Sequence, residues 1–152
     1  MAILEYESRF PCSVEGLFDF LARPENIAGI ANPDLGLTFT AAPDVVQEGS
    51  ELDFQIVTFG QVVKARHKIT KIDRPTLVIE QQLVGPMKSW THRHEYEVTG
   101  GSTVKRDVVE FELPGGLIGL LLSESKVKDH LEDGFFHRER QLMQLIEQGK
   151  IT

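Results

Sequence analysis

The chain has 152 residues, 41% hydrophobic and 26% charged, a globular balance that fits one domain over residues 1–152 and excludes a disordered polymer. Sixteen Lys and Arg against 23 Asp and Glu give a net charge of −7, which disfavours nucleic acid and anionic membrane surfaces as partners. Cys12 is the sole cysteine, so an internal disulfide and a cysteine-rich metal site are excluded, and a cytoplasmic location is the simplest expectation.

Residues 2–10 alternate, with Leu4, Tyr6, Ser8 and Phe10 on one side and Glu5, Glu7 and Arg9 on the other. This predicts a strand with one wet face, and it lacks the apolar core of a signal segment. Ser13 stands as an N-cap before VEGLFDFLA, and Pro24 opens a second short helix, PENIAGIAN. From about residue 36 to 113 the chain reads as strand after strand. Leu52, Phe54 and Ile56 share a face; so do Val63, Ala65, His67 and Ile69. After Arg74-Pro75, the inward set is read as Leu77, Ile79, Gln81 and Leu83, leaving Glu80 outward. After Gly85-Pro86, Trp90, His92, His94 and Tyr96 share a face, and Gly100-Gly101 marks a two-residue hairpin. The last strand turns Asp107, Val109, Phe111 and Leu113 inward, until Pro114-Gly115-Gly116 breaks it.

The remainder reads as one helix whose stripe runs from Leu117 through Leu121, Val127, Leu131, Phe135 and Leu142 to Ile146. Thirty residues at about 1.5 Å each would reach roughly 45 Å, across most of a small sheet. The middle strands carry one charged face each, so the sheet is covered on one side, and the long helix is the element able to cover it. A twisted sheet gripping one helix leaves a wedge where a small-molecule cavity can form. The longest apolar run, LIGLLL, is too short to span a bilayer, so no stable membrane insertion is expected.

This order, together with the stretches SVEGLFDFLARPENI, FELPGGLIGLLL and HLEDGFFHRERQLMQLI, resembles the START-like, or SRPBCC, superfamily. That resemblance implies an α+β helix-grip fold: a strongly curved antiparallel sheet wrapped around a long C-terminal helix, with two short helices after the first strand. The superfamily includes lipid-transfer START domains, the birch pollen allergen family, aromatic polyketide cyclases and coenzyme-Q-binding proteins. The chain is most similar to its small bacterial ligand-binding members. The implied role is binding or transport of a hydrophobic small molecule, whether lipid, isoprenoid or polyketide-like, with no cofactor. The alternatives are a cyclase or dehydratase acting without metal, and a non-catalytic interaction module whose cavity is filled.

The inward face is polar for a core, with His67, Gln81, His92, His94, Tyr96 and Asp107. Counting outward from Gly100-Gly101 sets His94 opposite Asp107, and counting back from Gly85-Pro86 sets Gln81 close to His92. Left unpaired in a core, such groups cost roughly 1–3 kcal/mol each, so they must bond one another, water or a ligand. The ligand reading makes them a polar end wall in an apolar cavity. Phe54, Ile56, Ile69 and Trp90 supply one set of apolar walls, and Val109, Phe111, Leu117 and Leu121 the other.

In the catalytic alternative Asp107 orients His94 as a general base. His92-x-His94 also has a spacing that metal sites use, with His67 or Asp107 to complete a set, but the preferred reading assigns no metal. His130, His137 and Arg138 read as a solvated helix face, Arg138 being the one able to reach a cavity mouth. Cys12 reads as an inert thiol. No GxGxxG, P-loop or HExxH pattern occurs. A homodimer through a sheet edge or the first helix pair is allowed but not specified.

Overall fold

The computed structural model describes residues 1–58 and 60–152, with the backbone alone at residue 118. The order is β1 (Ala2–Phe10), α1 (Val14–Leu21), α2 (Pro24–Ile30), then β2 (Thr38–Ala41), β3 (Glu51–Thr58), β4 (Gln61–Asp73), β5 (Leu77–Val84), β6 (Ser89–Thr99) and β7 (Ser102–Glu112). Two helices follow, α3 (Gly116–Leu121) and α4 (Glu124–Glu147). The strands form one antiparallel sheet in the order β1-β7-β6-β5-β4-β3-β2.

Local chemistry accounts for most boundaries. Ser13 Oγ accepts the Gly16 amide at 3.0 Å and starts α1, and Pro24 occupies the first turn of α2. Gly100 and Gly101 have φ of 57° and 82°, the left-handed pair that a tight hairpin between twisted strands needs. Thr99 therefore faces Ser102, and His94 faces Asp107, as the sequence predicts.

The predicted single C-terminal helix is two. Leu122 is extended (φ −102°, ψ 143°), and the Ser123 side chain accepts the Lys126 amide at 3.2 Å, capping a fresh helix. That cap offers the backbone an alternative to continuing α3, and the apolar periodicity across the joint hides it. The consequence is large: Leu117, Leu120 and Leu121 are 81, 81 and 77% exposed. Among the described residues, α3 packs against no other helix or strand. Leu117 and Leu121 therefore do not line the interior, contrary to expectation.

α4 keeps its stripe, burying Val127, Phe135 and Leu142. It runs along β1 and reaches β6, where the Phe135 ring meets the His92 ring at 5.6 Å. Two apolar cores result. One joins Phe10, Leu17, Phe18, Ile69, Val78, Tyr96 and Leu142; the other joins Leu4, Val109, Phe111, Val127 and Phe135, with Trp90 against it.

Candidate functional site

The polar residues lie between those two cores. Along β6 the inward order is Trp90, His92, His94, Tyr96, so two imidazoles separate a residue of each core. Along β7, Lys105 and Asp107 precede Val109 and Phe111; both are buried, Lys105 to 2% exposure. On β5 the inward residue is Glu80, opposite His92 in register, and Gln81 is exposed opposite Thr91. The expected inward Gln81 is thus corrected. The Leu and Ile content of β5 points to the other face, yet Leu83 and Val84 lie at an exposed strand end and Val78 is the buried side chain. A one-residue change of phase exchanges the faces and brings in a second acid.

The short bonds run diagonally across the sheet. His92 Nε2 lies 2.8 Å from Asp107 Oδ1, and His94 Nε2 lies 2.8 Å from Glu80 Oε1. The directly opposite contacts are longer, 3.4 Å from His94 Nδ1 to Asp107 Oδ1 and 3.3 Å from His92 Nδ1 to Glu80 Oε1. Each imidazole therefore presents one nitrogen to each carboxylate, and the two rings stack at 3.7 Å. The ends are anchored as well. Lys105 Nζ donates to Asp107 Oδ1 at 2.5 Å, and His67 Nδ1 sits 3.0 Å from Glu80 Oε2. Sequence reasoning missed Lys105 and Glu80. Lys105 was legible by counting back two residues from Asp107.

Burial works against every charge in this belt, and the partners decide the outcome. Against burial, bonds from His67, His92 and His94 hold Glu80 well below the usual carboxylate range. Lys105 and the same two β6 histidines do this for Asp107. Burial would lower His92, but its bonds to Asp107 and Glu80 raise it. Burial and the adjacent His92 lower His94, favouring a neutral imidazole there. Burial likewise lowers Lys105, with Asp107 opposing. The belt thus sets two carboxylates held toward their ionised form among basic groups that shift in opposite directions, His92 toward its charged form and His94 and Lys105 toward their neutral ones.

Tyr6 extends the belt toward α4, donating to Glu139 Oε2 at 2.5 Å, and burial plus that carboxylate push its pKa up. Arg138 turns inward from α4, its guanidinium 5.5 Å from the Phe135 ring centre. Among the described residues its Nε and Nη1 are buried without a hydrogen-bond partner. It borders a hollow of about 10 Å³ shared with Lys105, Asp107 and Tyr6, which is room for about one water. The expected wedge is therefore filled where α4 crosses the sheet. A larger hollow of about 410 Å³ lies over β3 and β4, lined by Asp53, Gln55, Lys64 and Arg66 together with Thr40, Phe54, Ala65 and Val84.

The remaining predicted wall residues divide by position. Ile69 and Tyr96 are in one core, and Val109 and Phe111 in the other. Phe54, Ile56 and Trp90 are inward but partly exposed, and His67 meets Phe54 edge to face at 4.8 Å. His94 and Glu80 keep 15 and 18% side-chain exposure, so the belt is reached from this side. His130 and His137 lie on α4 outside the belt, and Cys12 is buried, its thiol pKa raised by burial.

No family model and no curated protein matches the sequence. Solved structures do match in shape. Ara h 8.0201 superimposes with a TM-score of 0.66 at 18% identity, over 94% of this chain and 98% of that one. TTHA0849 from Thermus thermophilus gives 0.71 at 14%, over 91% and 95%. The chain has the START-like helix-grip fold. Ginseng major latex-like protein 151 from Panax ginseng is a further structure of this shape, with a TM-score of 0.68 at 14% identity over 92% and 96%. In this chain the grip is partial: α4 and α1 cover the buried residues of the inward face, while among the described residues α3 packs against no other helix or strand. Among the described residues no helix is long and apolar enough to cross a membrane.

Proposed function

We propose that this START-like chain binds a hydrophobic small molecule on the open half of its concave face, body on Phe54, Ile56 and Trp90 and polar head at His94 and Glu80. The observation that carries this reading is the partial exposure of those inward residues beside a reachable pair of hydrogen-bonding groups. Partly exposed apolar side chains on the inward face, and three exposed leucines on α3, are surfaces that water stabilises poorly. The fold class is one in which such cavities recur between sheet and helix. A hydroxyl head can donate to Glu80, and a hydroxyl or carbonyl head can accept from His94, without adding charge to the belt.

Native mass spectrometry of the purified chain after incubation with a cell lipid extract tests this. A bound apolar molecule, lost on Trp90→Ala or Phe54→Ala, supports it. A chain that neither retains nor loads any such molecule contradicts it and favours an interaction module.

One observation favours a second, catalytic reading. His94 lies between two carboxylates, with Glu80 at 2.8 Å and Asp107 at 3.4 Å to orient it, and keeps 15% side-chain exposure, while burial and His92 shift it toward its neutral form. A cyclase or dehydratase acting on a polyketone would use such a base. In that case His94→Ala abolishes turnover; in the carrier reading it changes affinity alone.

A further inference from the structure

We infer that Glu80, His92 and His94 form a binding site for one divalent transition-metal ion of the Zn²⁺ or Fe²⁺ type, on the open side of the polar belt. This inference does not depend on the carrier reading. The three residues offer one ligand atom each, all within 4.8 Å of one another. Two imidazoles and a carboxylate are the donor set that such ions prefer over Mg²⁺ or Ca²⁺. Donors about 2.0–2.2 Å from a tetrahedral ion sit roughly 3.3–3.5 Å apart. The His92 Nδ1 to Glu80 Oε1 separation of 3.3 Å already fits. The His94 Nε2 to Glu80 Oε1 contact at 2.8 Å needs to widen by roughly half an ångström, a small side-chain adjustment.

The outer shell distinguishes this cluster from an ordinary polar patch. Metal-bound imidazoles almost always give their second nitrogen to a carboxylate or carbonyl. Here the nitrogens facing away from Glu80 both face Asp107, at 2.8 Å for His92 and 3.4 Å for His94. Asp107 is held in turn by Lys105, and the second oxygen of Glu80 is held by His67. Every ligand thus has an orienting partner on the side away from the ion. The partial exposure of His94 and Glu80 leaves a path for the ion from solvent.

Calorimetric titration of the chelator-treated full chain with Zn²⁺ tests the site, with Co²⁺ as the optical probe. One ion per chain is expected, with visible Co²⁺ absorption typical of four or five ligands. Glu80→Gln and His94→Gln should each weaken binding more than about tenfold. Asp107→Asn should weaken it by about 10–100-fold while the stoichiometry stays at one, as expected of a positioning residue. Circular dichroism confirms that each variant is folded, and if Asp107→Asn does not fold, the first two variants decide. The combined His130→Ala and His137→Ala variant should bind as the parent does. Absence of binding overturns the inference, as does binding unchanged by both Glu80→Gln and His94→Gln or lost in the His130/His137 variant.

Discussion

The two halves of the concave face share one sheet and one alternation of side chains, and they differ in what covers them. On β1 and β7, Leu4, Val109 and Phe111 lie beneath α4, the last two with no measurable exposure. On β3 to β6, Leu52, Ile69, Val78 and Tyr96 are buried in the core that Leu17, Phe18 and Leu142 close. Phe54, Ile56, Val63 and Trp90, by contrast, point the same way and keep contact with solvent, and the leucines of α3 stand in water. The polar belt of Lys105, Asp107, His92, His94 and Glu80 spans the boundary between them. Alternation identifies the inward face of a strand; whether that face is closed depends on a helix elsewhere. Here one serine cap, at Ser123, separates the part of the C-terminal segment that packs from the part that does not.

Truncations should expose the contrast most strongly. Phe111→Ala is expected to cost about 3–5 kcal/mol, and Phe54→Ala, already partly in water, about half as much. Urea unfolding midpoints measure both, and equal losses would erase the distinction between the halves. Removing the Asp107 charge comes next. Asp107→Asn leaves the Lys105 ammonium buried without its carboxylate, at a cost of about 3 kcal/mol, and adding Lys105→Met should recover part of it. If the double variant is no more stable than the single one, the belt is not an electrostatic unit.

The pH profile follows from the same groups. Glu80 and Asp107 have folded pKa values below their unfolded ones, so their contribution is complete above about pH 4 and is lost as pH falls through and below that value. His92 is raised, so its contribution is complete below about pH 6.5 and lost as pH rises through its folded value. Denaturant titrations of the metal-free chain should show stability falling on the acid side and declining more gently above neutrality. A flat profile from pH 3 to 8 is the contrary result. The smallest effect belongs to α3. Replacing Leu117, Leu120 and Leu121 together by Ser should change stability by no more than about 0.5 kcal/mol per site, while loading of an apolar probe falls. A large loss of stability there would show that α3 packs on the sheet in solution.

Most of the architecture was legible in the sequence because its signals are local. The Ser13 cap, Pro24 and Gly100-Gly101 each fix a boundary, and the hairpin turn fixes the β6–β7 register that sets His94 against Asp107. The candidate site was half legible for the same reason, since His92, His94 and Asp107 lie on strands with a countable turn between them. Glu80 was not, because β5 carries apolar residues on both faces and its phase is set by pairing with β6 and with β4, the β4 pairing shifting register at bulges. Lys105 shares the inward phase of Asp107, and alternation alone places it there, although a lysine's charge argues for the solvent side until its partner is known. The break at Leu122 was masked by an apolar period that runs straight through it.

The central claim, that the open half of the face is a binding surface, can be read from one side chain. Trp90 is the single tryptophan of the chain and lies on that half. Its emission should change saturably, with energy transfer to the bound dye, when an anilinonaphthalene sulfonate with an apolar body and a polar head is titrated into the folded protein. Phe54→Ala should weaken the response. Dye binding that leaves Trp90 emission unaltered, or no dye binding at all, would contradict the account.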